Sequence, residues 1–297
     1  MQTLESMRRR ITSAEDLYAV VRVMKALASV SIRQYEKAVE SLREYTRTVE
    51  QGLQVVLRGR PEGIAGESGG GDRWTVVVFG SEQGMCGSFN ERAADFALEQ
   101  LDGLGGKRQG HPVLAVGTRV VGRLEDAGCA IAGRFPVPGT ASGITPVVND
   151  LLLAIEEARF RGGIDRFLLV HHRPAAGGSS QPIRLQLLPL NRDWLDGLVR
   201  APWPSRSLPT FTTDWRLLFA ALVRQHLFVA LYRALAESLA SENAARLASM
   251  QAAEKNIQDH LTDLTARYHR ERQQAITEEL LDVVAGYETL TTEGRHP

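Results

Sequence analysis

The sequence predicts an α/β fold with long helices: the N- and C-terminal helices form an antiparallel coiled coil, and an α/β domain is inserted between them in the sequence. Residues 1–57 and 213–290 contain no proline and keep helical apolar spacing. At 1.5 Å per residue, helices of these lengths run roughly 85 Å and 115 Å, so each needs a partner of similar length. Between them, short β-branched runs alternate with helical segments, which is typical of an α/β domain.

Residues 1–58 are predicted to form the N-terminal helix of the coiled coil. Its apolar side chains step by three and four residues, which is the spacing of a heptad seam. These positions are Leu4, Met7, Ile11, Ala14, Leu17 or Tyr18, Val21 and Met24. Glycines and a proline then interrupt the pattern, so residues 59–73 are predicted to be a flexible linker.

Residues 74–200 are predicted to form a Rossmann-like α/β domain with an at least partly parallel sheet. Predicted strands cover 74–79, 112–116, 131–137, 167–170 and 183–187, and predicted helices cover 89–101, 120–127 and 145–161. Thr145 is the expected N-cap of the last helix, and Gly162 with Gly163 is its expected stop.

A proline-rich second linker at 201–212 precedes the C-terminal helix, residues 213–297. That helix repeats the three-and-four spacing at Met250, Ala253, Ile257, Leu261, Leu264 and Tyr268, and again at Ile276, Leu280, Val283, Tyr287 and Leu290. A sustained 3.5-residue period indicates a left-handed supercoil. Because this helix is the longer of the two, its end is expected to protrude beyond Met1 as an unpaired tip.

Composition excludes several classes of protein. The formal net charge is zero, whereas a nucleic-acid binder usually carries a basic excess. The two cysteines, Cys86 and Cys129, form no CxxC pair and are expected to be buried thiols. No apolar run approaches the length of a membrane span, so we expect a soluble chain, which is compatible with membership of a membrane-bound assembly.

No catalytic, cofactor or metal site is predicted. The loop at 80–88 follows a strand and precedes a helix, but it lacks the Lys-Ser/Thr pair of a P-loop. His171 and His172 are neighbours in a strand and should face opposite sides of the sheet, so they cannot easily share one ion. Arg8, Arg9 and Arg10 are either a solvated helical face or a surface for an acidic partner.

Segments in the N-terminal, central and C-terminal parts resemble the γ-subunit family of F-type ATP synthases, and the resemblance extends over nearly the whole chain. The C-terminal segment 246–256 matches the pattern Arg-x-x-Ala/Ser-Met-x-x-Ala-x-x-Asn and continues through 264–268, 272–279 and 284–286. The segments 10–11 and 23–27 also fit, as does the central Gly-Met-Cys-Gly-Ser-Phe-Asn at 84–90.

The chain departs from the usual form of that family at a few places. Glu82 and Gln83 stand where most members have Asp-Arg. Segments 1–6 and 31–36 are similar to those of the alternate F-type ATPase of some bacteria, called the N-type. That type is associated with sodium pumping. The regulatory cysteine insertion of chloroplast members is absent.

The resemblance implies a rotor shaft without a catalytic site or cofactor of its own. In this family the coiled coil lies inside a ring of α and β subunits, and the α/β domain stands with the ε subunit on the c-subunit rotor ring. By matching motif positions, Met24, Lys25, Arg272 and Gln273 are expected to contact the β subunits. The apolar tip is expected to lie in the bearing of the ring, through Ile276, Leu280, Val283, Val284 and Tyr287.

The resemblance also implies a peripheral location on the cytoplasmic face of the bacterial inner membrane, reached only through the complex. It leaves the coupling ion, proton or sodium, open. Two other classes compete with it: a non-rotary coiled-coil scaffold or adaptor, and a small-molecule enzyme using the α/β domain. One copy beside three copies each of two larger nucleotide-binding chains would favour the rotor, and a homodimer would favour the scaffold.

Overall fold

The computed structural model describes residues 4–59, 73–175, 179–207 and 209–293, with the side chains of 162 and 286–293 left out. The chain divides into two compact units. One unit comprises Met1–Ala26 and Ser249–Pro297, and the other comprises Leu27–Ala248. The domain bounds predicted above remain a prediction, because this division also assigns parts of both long helices to the unit that holds the sheet.

The N-terminal stretch is helical but consists of two helices, α1 (Leu4–Ser41) and α2 (Arg43–Arg58). They are divided at Leu42, whose N–H donates to the Val39 carbonyl at 3.3 Å. The Ala38 carbonyl, which a continuous helix would pair with Leu42, accepts instead from the hydroxyl of Ser41 at 2.8 Å. Such back-bonding by serine often bends helices.

The unit Leu27–Ala248 contains a five-stranded sheet. Its strands are β1 (Trp74–Phe79), β2 (Val113–Val116), β3 (Ile131–Phe135), β4 (Arg166–Pro174) and β5 (Ser180–Leu188). They are arranged in the order β3-β2-β1-β4-β5. All neighbours pair in parallel except β4 and β5, which are antiparallel. The predicted α/β fold with a partly parallel sheet is confirmed.

Helices cover both faces of this sheet. They are α3 (Phe89–Gly103), α4 (Thr118–Asp126), α5 (Ile144–Gly162) and α7 (Trp215–Glu293), with the short α6 (Arg192–Arg200) preceding α7. Odd-numbered residues of β1 and β4, such as Val77 and Leu169, pack with α5 and α7. Even-numbered residues of the same two strands, such as Val78 and Val170, pack with α3 and α4. The alternation follows from the two-residue period of a strand.

Two local details differ from the sequence prediction. Gly143 is the N-cap of α5 and Thr145 lies inside the helix, so the predicted Thr145 cap is wrong, whereas Gly163 ends the helix in the left-handed conformation with φ 58° as expected. The sequence also did not predict α6, which begins where the Asn191 side chain accepts from the Trp194 N–H at 3.1 Å.

In the unit of Met1–Ala26 and Ser249–Pro297, α1 and α7 bury one stripe each. Met7, Ala14 and Val21 are buried at seven-residue intervals, and Leu4, Ile11 and Tyr18, each three residues before one of them, are half-buried. Leu17 is 57% exposed, so Tyr18 and not Leu17 belongs to the seam. On α7, Met250 and Leu264 are buried. The heptad pattern is therefore present on both helices.

Candidate partner-binding surfaces

One pair of predicted contact residues lies at the seam between α1 and α7. Lys25 of α1 forms an ion pair with Glu254 of α7, and the two side chains are 35% and 19% exposed. Met24 beside it is half-buried. A charged pair shielded from water on most sides interacts more strongly than one on an open surface. Within its own chain, Lys25 is therefore held in place by a specific carboxylate.

The other predicted contact pair lies beyond the buried part of the α7 seam. The side chains of Arg272 and Gln273 are exposed, and from position 269 to 285 only Ala275 is even half-buried. Tyr268 is the last half-buried seam residue before them. The structure thus presents a guanidinium and an amide to solvent on a helix that has little else packed against it.

The predicted bearing tip is an exposed apolar surface. Ile276 is 52% exposed, Leu280 62%, Val283 73% and Val284 46%. Tyr287 lies in α7, but its side chain is outside the described residues. Contiguous exposed apolar side chains are typical of a surface that a partner covers.

A second exposed apolar stripe lies on α1 and was missed by the sequence reasoning. Leu17, Val20 and Val23 are 57%, 54% and 59% exposed, and Leu27 and Val30 further along the helix are 63% and 56% exposed. They face away from the heptad seam. Their spacing of three and four residues, displaced from the seam, was the available signal.

The central motif at 84–90 forms a compact turn after β1. The side chain of Asn90 accepts from the Ser81 N–H at 2.9 Å and donates to the Ser81 hydroxyl at 2.8 Å. Ser81 is fully buried and Asn90 is 7% exposed. Met85 and Gly87 within the turn have positive φ angles of 62° and 58°. The asparagine therefore satisfies buried groups of a turn that the backbone cannot pair by itself.

The structure brings this turn together with the first arginine of the C-terminal motif. Nη2 of Arg246 lies 3.4 Å from the Gln83 carbonyl and 3.5 Å from the Gly84 carbonyl, and 2.7 Å from Glu242 of its own helix. Burial raises the pKa of Glu242, and the nearby Arg246 charge counteracts part of that rise. Two motifs that are distant in sequence thus form one polar contact in the unit Leu27–Ala248.

A buried carboxylate joins α7 to the sheet, and the sequence reasoning did not find it. Glu237 accepts from Nε2 of His171 at 3.3 Å, from Nε of Arg173 at 3.3 Å and from Nε of Arg233 at 2.9 Å. Burial raises the pKa of the Glu237 carboxyl, but the hydrogen bonds and charges of His171 and Arg233 together lower it to about 2. A glutamate among the small and apolar residues of 234–240 was the available signal.

His172 occupies the opposite face of β4, as the alternation predicted. Its ring stacks on Phe89 of α3 with 4.2 Å between centroids, and both ring nitrogens are buried without a hydrogen-bond partner. Burial lowers the pKa of His172 to about 3, with the charges of Arg92 and His171 adding to the effect. The described residues contain no group of three or more histidine, cysteine, aspartate or glutamate side chains that could hold a metal ion.

A cavity of about 380 Å³ lies beyond the carboxyl ends of β1 to β3. Its charged lining groups already have partners, since Arg134 pairs with Glu125 and Glu82 accepts from the Val137 N–H at 3.4 Å. This cavity gives no argument for small-molecule chemistry.

By length and composition alone, α7 also contains a window apolar enough to cross a membrane, with a mean hydropathy of 1.3. The expectation that no apolar stretch is long enough to span a membrane is therefore not met when only length and mean hydropathy are considered. A single helix of this kind is weak evidence, because a core helix meets the same criterion. Leu227, Leu231 and Leu235 of α7 are indeed buried in the core beside the sheet.

Comparison with known proteins gives relatives that match almost from end to end. The ATP synthase gamma chain of Thiobacillus denitrificans is 25% identical over 290 residues, covering 95% of this chain and 97% of the relative. The ATP synthase gamma chain of Sorangium cellulosum is 28% identical over 338 residues, covering 98% and 99%.

Solved structures share the fold. A chain of the Euglena gracilis mitochondrial ATP synthase, in a structure of OSCP, F1 and c-ring, superposes with a TM-score of 0.64 at 15% identity, covering 99% of this chain and 96% of that one. A chain of the Tetrahymena thermophila mitochondrial ATP synthase central stalk and c-ring superposes with a TM-score of 0.56 at 18% identity, covering 79% and 99%. The family model described as ATP synthase matches residues 3–290. This chain therefore belongs to the ATP synthase family.

Proposed function

We propose that this chain is the gamma-type rotor shaft of a membrane F1F0 ATP synthase. The observation that carries the proposal is the match to ATP synthase gamma chains over 95% or more of this chain and 97% or more of the relatives. Such coverage includes both long helices and the sheet between them, so the likeness is to a whole subunit and not to a single shared domain.

The mechanism that follows is mechanical. The chain couples ion translocation through the c-subunit rotor ring to ATP synthesis or hydrolysis in a ring of α and β subunits, with the ε subunit bound beside its α/β domain. The catalytic nucleotide sites belong to that ring. A shaft changes the conformation that each β subunit prefers only through contacts that differ between those conformations. An asymmetric shaft inside a threefold ring makes such unequal contacts at every angle.

The contacts are proposed at two surfaces. Met24, Lys25, Arg272 and Gln273 contact the β subunits, and the tip lies in the apolar bearing through Ile276, Leu280, Val283, Val284 and Tyr287. Exposure of Arg272 and Gln273, and of the four described apolar tip residues, supports this assignment. Aliphatic side chains suit a bearing because their contacts are not directional and do not resist rotation.

The type of enzyme and its membrane face are proposed from the resemblance of segments 1–6 and 31–36 to the N-type family members. We assign the complex to the alternate N-type enzyme, with the chain on the cytoplasmic face of the bacterial inner membrane. The coupling ion is a proton or sodium, and its ligands lie in the c-ring, outside this chain.

Stoichiometry tests the proposal against a scaffold role. The complex would be purified from native membranes through an affinity tag on this chain and weighed by native mass spectrometry. We expect one copy of this chain beside three copies each of two larger nucleotide-binding chains. A homodimer, or a complex without nucleotide-binding chains, would overturn the proposal.

A further inference from the structure

Most contacts between α7 and the sheet are apolar. Leu231, Leu235 and Leu239 are buried in the same core as Phe167 and Leu169 of β4. Apolar burial stabilises the contact and favours the angle that turns the apolar stripe of the helix inwards, but because it is non-directional it resists small rotations only weakly. A helix that must carry torque into the sheet therefore needs contacts that fix its angle more sharply.

Glu237 makes such contacts from within this apolar interface. Its side chain is 9% exposed, and its partner His171 on β4 is 1% exposed. The distance to Nε2 of His171 and the distance to Nε of Arg173 are both 3.3 Å. Hydrogen bonds to a buried carboxylate are directional, so a rotation or one-turn slide of α7 would break the bonds to His171 and Arg173. The carboxylate would then keep only Arg233, which lies on the same helix and moves with it.

Other polar links of α7 in this unit are less restrictive. The Tyr45 hydroxyl of α2 donates to Gln225 of α7 at 2.7 Å, but at an exposed site. Arg224 pairs with Glu156 of α5 at 2.7 Å, but the two side chains are 43% and 45% exposed. An exposed pair of this kind contributes little and can be replaced by water. Arg246 reaches only neutral carbonyls of the turn after β1, at 3.4 Å and 3.5 Å, and its charge is already paired with Glu242 of its own helix.

We propose that Glu237 is a positioning residue that fixes the angle and the height of α7 on the sheet, so that torque in α7 turns the α/β domain without slip. Fixing register is the best-attested use of a buried polar or ionic group in proteins. This inference rests on the proposed rotary function.

Three variants of the complete membrane complex test it. Glu237→Met removes the carboxylate at similar length. Glu237→Met combined with His171→Leu makes both sides of the buried contact apolar, which removes the penalty of an unpaired buried group and should restore stability. Glu156→Met removes the exposed α7–α5 pair and serves as the matched control.

The readout is ATP-driven membrane potential in proteoliposomes, followed with a voltage-sensitive dye and divided by the rate of ATP hydrolysis. This ratio responds to slip whether the ion is a proton or sodium. Slip means rotation of α7 that does not turn the α/β domain. We expect it to rise about tenfold in both Glu237 variants, which is the factor for one lost charge-assisted hydrogen bond. The potential maintained per ATP should then fall severalfold, while thermal stability is lowered in the single variant and restored in the double variant.

Glu156→Met should match the unaltered complex in both measurements. A double variant that regains the full potential per ATP together with its stability would reduce Glu237 to a structural role and overturn the inference. A control that loses as much potential as the Glu237 variants would overturn it too. Subunit stoichiometry of the unaltered complex is measured first, so a failure of the rotary function is recognised separately.

Discussion

Lys25 of α1 and Glu254 of α7 join the two long helices across their seam, with side chains 35% and 19% exposed. In its exposure to solvent, this pair is intermediate between the ion pairs on the open surface and the buried Glu237 cluster. The predicted contact residue Lys25 is therefore ion-paired to a carboxylate on the other helix. Whatever touches Lys25 from outside the chain competes with Glu254 for it.

We expect the Lys25–Glu254 pair to contribute about 1 kcal/mol to the stability of the folded chain, more than a typical surface pair and less than a buried one. Lys25→Ala and Glu254→Ala, made singly and together, give this coupling energy from a double-mutant cycle in urea unfolding. Arg9 and Glu5, whose side chains are 78% and 73% exposed, form the comparison pair and should show no measurable coupling. Equal coupling in the two cycles would contradict the importance of shielding.

Arg272 and Gln273 are exposed in this chain, so their removal should affect the complex and not the fold. We expect Arg272→Ala combined with Gln273→Ala to lower ATP turnover of the assembled complex roughly tenfold, as for a lost charge-assisted hydrogen bond to the ring. The melting temperature of the isolated chain should not change. Glu271→Ala, beside them on the same helix, is the control, and unchanged turnover in the double variant with normal assembly would refute the contact assignment.

The apolar tip should tolerate apolar exchange and reject charge. Leu280→Asp combined with Val283→Asp places two carboxylates where an apolar sleeve is proposed, and burying an unpaired charge costs several kcal/mol. We therefore expect the yield of assembled complex to fall by at least roughly tenfold. Leu280→Met combined with Val283→Ile should assemble normally. Normal assembly and turnover of the Asp variant would show that the tip is not enclosed by apolar surface.

Periodic and local features of the fold could be predicted from the sequence. The bounds of β1 at Trp74 and Phe79 were predicted correctly because a β-branched run ends at a glycine. The seam of α1 was predicted because a heptad repeat is a property of spacing alone. The division of the first long helix at Leu42 was missed, because it depends on the hydrogen bond from the Ser41 hydroxyl to the Ala38 carbonyl.

The polar contacts inside the α/β unit could not be predicted in the same way. His171 and Glu237 are 66 residues apart in sequence, and only the packing of α7 on β4 brings them together. Single-sequence periodicity marks Glu237 as an exception on an apolar face but does not name its partner. The contact between Arg246 and the turn at Gln83 is hidden for the same reason.

Asn90 should be essential for the turn after β1. Asn90→Ala leaves the buried N–H of Ser81 without its partner and removes the donor to the Ser81 hydroxyl, which still donates to the Gln83 carbonyl. The loss costs about 2 kcal/mol. For a unit of this size we expect the melting temperature to fall by roughly 4–8 °C. Asn149→Ala on the exposed side of α5 is the matched control and should change it little. Circular dichroism of the full chain measures both, and equal melting temperatures for the two variants would contradict the role of Asn90.

His172 should make the chain sensitive to acid. Because burial lowers its pKa from 6.5 to about 3, the unfolded chain binds a proton at this residue between those values while the folded chain does not. The contribution of His172 to the unfolding free energy is therefore constant above pH 6.5 and decreases by about 1.4 kcal/mol for each pH unit as the pH falls from 6.5 towards 3. Burial also lowers the pKa of His226, which adds a loss of the same sign. The Glu237 carboxyl, with its pKa lowered from 4.5 to about 2, adds a further loss only below pH 4.5.

His172→Leu removes the first of these losses at nearly constant side-chain volume. Urea unfolding between pH 7 and pH 5 should give a flatter dependence of the unfolding free energy for this variant than for the unaltered chain. The difference should reach about 2 kcal/mol at pH 5. His260→Gln, at an exposed position of α7, is the control and should follow the unaltered chain. Parallel curves for His172→Leu and the unaltered chain would mean that the His172 ring gains a proton in the folded state without cost, which its buried stack on Phe89 does not allow.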